Sequence, residues 1–337
     1  MPFPLGRAEC RLFALGRHAL WHGVGTLELE PGDEVLVPAY HHGSEVEALA
    51  RAGLNCRFFA AADDLQPVEA ELDGLVTERT RALVLIHYLG FPQDIARWRR
   101  WCDARGLMLI EDAAQAWLAS SDGEPVGSAG DLAVFCLYKT VGVPDGAALV
   151  SRTLPDPPPP NAASVTRLAR RHAAWLRSRI AVPARRPVWR PSEDADVAGD
   201  FALGDPGVAP AAWTSFVVER VPEDVAARRR ANYELLLRQL GEHVDAPFDQ
   251  LAPGASPFVF PLRAREKREL LRRLYEAGIH AFDFWSRGHP LVDRAAFAGV
   301  ERRRRQTVGL PVHQELRPRD LVRIVAVVRQ ALARPPR

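Results

Sequence analysis

Lysine is almost missing from this chain. Of 44 Lys and Arg residues in 337 positions, only Lys139 and Lys267 are lysines. Arginine carries the rest of the positive charge. A lysine kept in such a background has a reason to be an amine, because a guanidinium cannot form an imine and stays charged where a desolvated amine can be neutral. Lys267 lies in Arg265-Glu266-Lys267-Arg268-Glu269, which reads as a solvated helix face. Lys139 instead follows the apolar run Leu132 to Tyr138.

Other absences narrow the function classes. Four cysteines, at 10, 56, 102 and 136, show no CxxC spacing, so they suit neither a zinc site nor a disulfide framework, and a cytoplasmic location is expected. Net charge is nearly balanced, 44 basic against 42 acidic residues, which gives no footprint for nucleic acid. No apolar run is long enough to span a bilayer. The N-terminus has prolines at 2 and 4 and charge by residue 7, with no apolar leader core. No Gly-rich fingerprint follows the first strand, which argues against a nicotinamide enzyme. His41-His42 has no third partner at metal-ligand spacing, so no metal is expected.

What is present is alternation. Short apolar runs at Val35–Val37, Cys56–Phe59, Ala82–Ile86, Leu107–Ile110, Leu132–Tyr138 and Ala147–Val150 are separated by Gly punctuation and by helical patterns near residues 44–52 and 94–105. This predicts an α/β protein with a mostly parallel sheet covered on both faces. A large domain is expected over 1–215 and a small C-terminal α+β domain over 216–337. The latter holds a helix from about 223 to 240, a strand at 258–262, a helix at 265–277, a short strand at 279–282 and a last helix at 318–332. Within the large domain, after Val150, Pro155–Pro160 reads as a proline-rich connector, 165–180 as a basic amphipathic helix and 183–210 as irregular chain. Arg302–Arg305 reads as a solvated face, or as an aid to holding an anionic substrate.

Asp112 and Lys139 each fall just past a strand end, where open α/β sheets place their ligands. An acid and a primary amine held there suit pyridoxal phosphate (PLP): the amine forms a Schiff base and the carboxylate pairs with the pyridine nitrogen. Gly16 before a helix offers backbone N–H groups for an anion. His42 at a strand end reads as a ring that stacks on a cofactor.

Several segments together resemble the DegT/DnrJ/EryC1/StrS family of PLP-dependent sugar aminotransferases. They are Pro31-Gly32-Asp33-Glu34-Val35-Leu36-Val37-Pro38-Ala39-Tyr40, Ile110-Glu111-Asp112-Ala113-Ala114-Gln115-Ala116, Gly127-Ser128-Ala129-Gly130-Asp131 and Leu310-Pro311-Val312-His313. The resemblance implies the aspartate-aminotransferase type of PLP-dependent transferase fold (fold type I), as a homodimer with sites at the subunit interface. It also implies roles: Lys139 for the Schiff base, Asp112 under the ring nitrogen, Gln115 on the phenolic oxygen and His42 on the ring face. Gly16, Arg17 and His18 fall at the phosphate turn. Arg17 stands where the family has a hydroxyl residue, Cys136 where it has a phosphate-binding serine, and its asparagine motif is not recognisable between Asp194 and Trp213. The implied reaction moves an amino group from a donor such as glutamate to a carbonyl acceptor, a nucleotide-linked keto-sugar. Racemisation or elimination on the same cofactor, and a degenerate regulatory relative, stay open as alternatives.

Overall fold

The structure is a computed structural model that describes residues 1–160, Ala169, 201–205 and 207–333. The helix expected at 165–180 and most of the irregular stretch at 183–210 lie outside these residues. Ten strands build two sheets. The larger takes β1 (Cys10–Phe13), β2 (Glu34–Pro38), β3 (Asn55–Phe59), β4 (Thr80–Ile86) and β5 (Met108–Asp112); after a small hairpin of β6 (Ser120–Ser121) and β7 (Glu124–Pro125) it adds β8 (Leu132–Cys136) and β9 (Ala147–Ser151). Its order is β1-β9-β8-β5-β4-β2-β3. Strands β8, β5, β4, β2 and β3 run parallel, and β9 alone runs antiparallel to both neighbours.

The central strands are apolar throughout because both faces are covered. Val35, Leu36 and Val37, Leu83 to Leu85, Leu109 and Ile110, and Leu132 to Phe135 are buried. One face is covered by α1 (Gly16–Val24) and α2 (Ser44–Arg51), which pack on each other. On the other, α4 (Ile95–Asp103) follows the short α3 (Glu69–Leu75). Asp94 caps α4 by accepting the Arg97 N–H. The helix then turns Trp98, Trp101 and Cys102 into a cluster with Leu36, Leu83 and Leu109. Each large side chain buried there contributes about 1.5–3 kcal/mol.

The C-terminal part begins with α5 (Ala212–Val218) and α6 (Val225–Leu240). It then forms a three-stranded antiparallel sheet, β10-β12-β11, from β10 (Val259–Arg263), β11 (Phe282–Asp283) and β12 (Thr307–Pro311). Helices α7 (Lys267–Glu276), α8 (Ala298–Gln306) and α9 (Pro318–Leu332) accompany it. The α9 helix has Pro at its start and an Arg317/Asp320 capping box. No helix among the described residues is long and apolar enough to cross a membrane.

Two sequence expectations are corrected here. Lys267 is not on a solvated face: it is 5% exposed, and its Nζ donates to the Phe284 and Arg304 carbonyls and pairs with Asp283 at 2.7 Å. It shares a helical stripe with the buried Leu270, Leu271 and Leu274. Within Arg302–Arg305, Arg304 is 1% exposed and donates to the carbonyls of Ala39, His41, Trp285 and Arg287. It fastens the C-terminal part to the loop after β2.

Candidate active site

Because β1 and the parallel strands point the same way, their carboxyl ends open on one side of the sheet. A cavity of about 460 Å³ lies there. Gly16 and Arg17 line it from the start of α1, His42, Ser44 and Glu45 from the loop after β2, and His87 from the end of β4. Glu111, Asp112 and Gln115 enter from β5 and beyond, and Cys136, Tyr138 and Lys139 from the end of β8. Phe258, Phe282, Asp283, Phe284 and Trp285 close it from the C-terminal part.

Seven of the eight residues singled out in the sequence thus meet at one cavity. His18 does not line it. On a helix, positions 17 and 20 share a face that 18 leaves, and the His18 ring instead sits beside the Leu203 carbonyl at 2.9 Å. Burial pushes its pKa down.

Asp112 is the last residue of β5. Its Oδ1 accepts the Ala114 N–H at 2.9 Å. Burial, reinforced by the Glu45 carboxylate, pushes its carboxyl up to about 6, while Lys139 opposes the shift. Lys139 ends a 3-10 turn, Leu137–Lys139, that directly follows β8. Gln115 Oε1 accepts the Leu89 N–H at 2.8 Å, which leaves its NH2 as the donating end. Gly16 is required where it stands: a Cβ there would lie 2.6 Å from the Cys136 sulfur. That thiol is buried, receives hydrogen bonds from the Gly16 N–H and Tyr138, and has its pKa raised by burial. Arg17 Nη1 donates to the Ala202 carbonyl at 2.6 Å.

His42 is fixed by Glu45, which sequence reasoning passed over. Glu45 accepts the N–H of His42 at 2.8 Å and of Gly43 at 3.0 Å, and Gly43 has φ +126°. The imidazole edge meets Phe201 at 5.7 Å. The buried His87–Glu111 pair was also missed. His87 Nδ1 accepts the Gln93 N–H, so Nε2 carries the proton and donates to Glu111 at 3.0 Å. Glu111 further accepts the N–H groups of Gly127, Ala129 and Gly130. The Gly127-Ser128-Ala129-Gly130-Asp131 segment therefore serves as a nest for the carboxylate beside Asp112. Two glycines placed to free backbone amides were the available signal.

Trp285 completes the far wall at φ +45°, rare for an aromatic residue. It stacks on Phe284 and meets Tyr40 and Tyr88 edge-on. Arg304, bonded to its carbonyl, holds it there.

An acid, an amine and a helix start at the carboxyl ends of parallel strands agree with the likeness to known proteins. The model of the DegT/DnrJ/EryC1/StrS aminotransferase family matches residues 5–153. That match takes in less than half of the chain. The chain is 34% identical over 142 residues to a UDP-N-acetyl-3-dehydro-alpha-D-glucosamine 3-aminotransferase of Acidithiobacillus ferrooxidans, covering 41% of this chain and 38% of that relative. It is 26% identical over 334 residues to a GDP-perosamine synthase of Caulobacter vibrioides, covering 94% of this chain and 84% of the relative. Several relatives thus align over only about two fifths of their own length. Among solved structures, the aminotransferase TlmJ of Streptoalloteichus hindustanus superposes with a TM-score of 0.69 at 26% identity, covering 96% of this chain and 86% of that one. The fold is the PLP-dependent transferase fold of the aspartate-aminotransferase type.

Proposed function

We propose that this protein is a PLP-dependent aminotransferase that moves an amino group from an amino acid such as glutamate to a carbonyl acceptor. The acceptor class proposed is a nucleotide-linked keto-sugar, by analogy with the relatives above. We further propose a cytoplasmic homodimer with a large domain over 1–215 and a small one over 216–337. One observation carries the reading: Lys139, one of only two lysines, shares a cavity with the carboxylate of Asp112.

The donor set fits the cofactor. Asp112 suits a protonated ring nitrogen, the Gln115 NH2 suits a phenolic oxygen, and Arg17 at the start of α1 suits a phosphate. Gly16, required by its approach to Cys136, puts no side chain at that helix start. His42 offers a ring whose Nδ1 lies 3.2 Å from the Ser44 hydroxyl, on a backbone N–H held by Glu45. When bound, pyridoxal phosphate supplies a carbonyl that condenses with amines and a ring that withdraws electrons.

The chain's own groups then divide the work. Lys139 Nζ would hold the cofactor and, once released by an incoming amine, would be the base that moves the proton between the cofactor's carbon and the substrate's. Asp112 would keep the ring nitrogen protonated. Phe258, Phe284 and Trp285 give the cavity an apolar wall.

The test is spectroscopic. Purified protein given pyridoxal phosphate is expected to gain visible absorption, and glutamate is expected to bleach it with stoichiometric 2-oxoglutarate. Absorption that persists with glutamate, and no 2-oxoglutarate, would remove transamination and leave other chemistry on the same cofactor.

A further inference from the structure

Lys139 is not placed by β8 alone. The Thr140 and Val141 N–H groups both bond back to the Leu137 carbonyl, at 3.0 and 3.1 Å, which winds the lysine into a tight turn. The opposite side of that turn, its free carbonyls, is held by two side chains from the C-terminal part. Arg229 on α6 donates from Nη2 to the Thr140 carbonyl at 2.8 Å, with the Lys139 carbonyl at 3.5 Å. Its Nη1 donates to the Pro257 carbonyl at 3.0 Å and its Nε to Gln314 Oε1 at 2.8 Å. Gln314, just after β12, returns a second bond from Nε2 to the same Thr140 carbonyl at 3.1 Å.

Arg229 is only 3% exposed, and each of these bonds goes to a neutral carbonyl-type oxygen. Burial lowers its pKa to about 10, against a smaller opposing effect of Glu315. A buried cation without a hydrogen-bonded carboxylate is costly. It also does not line the cavity. What it offers is a rigid planar fork that reaches three chain segments at once, which a lysine or glutamine cannot reproduce.

We propose that Arg229, seconded by Gln314, is a positioning residue for Lys139: it fixes the Lys139–Thr140 backbone from the C-terminal part, so that the amine is presented to the cavity. This rests on the reading of Lys139 as the cofactor-holding amine. It adds α6 and the loop after β12 to the cavity-lining residues as means by which the C-terminal part acts on the chemistry.

The experiment compares wild type with Arg229→Gln, Arg229→Lys and Gln314→Ala in the full chain, with two readouts. The first is the fraction of bound pyridoxal phosphate that borohydride fixes to Lys139 within a short quench. Asp112, Gln115 and Arg17 are untouched, so total binding should stay near wild type. The fixed fraction should fall about tenfold in Arg229→Gln and less in Arg229→Lys and Gln314→Ala. A merely structural role would lower binding and fixation together and leave the fraction constant. The second readout needs no cofactor: hydrogen exchange of the Thr140 and Val141 amides should quicken about tenfold while those of Leu109 to Glu111 stay as they are. If Arg229→Gln does not fold, the two milder variants decide. Unchanged exchange in every folded variant, or a constant fixed fraction, overturns the proposal. Wild type that fixes no cofactor overturns the functional reading instead, and exchange alone then decides whether Arg229 holds the turn.

Discussion

Replacing Asp112 with Asn should move stability and activity in opposite directions. Burial and the Glu45 carboxylate carry the Asp112 carboxyl from 3.8 to about 6. That corresponds to about 3 kcal/mol against its ionised form in the cofactor-free protein. Asp112 borders a cavity, so water screens part of this, and about 2 kcal/mol is a fair expectation. The sign follows from the raised value. Below 3.8 the group is protonated in both folded and unfolded chains and costs nothing. Between 3.8 and 6 the unfolded chain releases its proton first, and stability falls; above 6 the whole cost is in place. Asparagine removes it, and its own Oδ1 can still accept the Ala114 N–H. Urea unfolding of the cofactor-free protein should therefore show Asp112→Asn more stable than wild type by about 2 kcal/mol at pH 8, with the gap closing toward pH 4. Transamination should drop by about a hundredfold or more, because the electron sink loses its charge partner. A variant less stable than wild type at pH 8, or a gap independent of pH, would refute the reasoning.

The remaining expectations concern the two corrected residues and the stacking ring. Lys267→Met leaves Asp283 without its ammonium partner, so thermal or urea unfolding should register a loss of about 3–5 kcal/mol, with borohydride labelling of the folded remainder still at Lys139. Arg304→Met strands four buried or half-buried carbonyls, and a loss of about 4 kcal/mol or more is expected in the same assay. A change under 1 kcal/mol in either would mean that these cations are not the fasteners described. His42→Phe should keep most of the glutamate half-reaction and His42→Ala should not, as read from bleaching rates; equal losses would indicate acid–base work rather than stacking.

The parallel sheet was legible because strands buried on both faces show as unbroken apolar runs, as in Ala82–Ile86 and Leu132–Cys136. Strand β1, Cys-Arg-Leu-Phe, was not, since an edge strand needs only part of its residues inside. Helix α3 holds Gly74 and three acids and buries only Leu72, so its packing rather than its propensity makes it a helix. Asp112, Lys139, Gln115 and His42, which line one cavity, could be picked out because they lie at or just after strand ends. Arg229 acts through backbone groups brought together from distant segments, and no local pattern reports such partners; His87 pairs with a side chain 24 residues on, while Glu45 closes a local turn on the His42 and Gly43 N–H groups. Lys267 and Arg304 were misread because a run of charges hides the helical stripe on which one of them turns inward.

The most direct measurement is the site of covalent attachment. With Lys139, Lys267 and the chain's α-amino group as the only primary amines, and Lys267 Nζ engaged by Asp283 and two carbonyls, the assignment has few outcomes. Borohydride reduction of the pyridoxal phosphate-loaded protein, followed by peptide mass analysis, should place the label on the peptide containing Lys139. Lys139→Ala should abolish both the label and the half-reaction with glutamate. Label on Lys267 alone, or unchanged turnover in Lys139→Ala, would contradict the account.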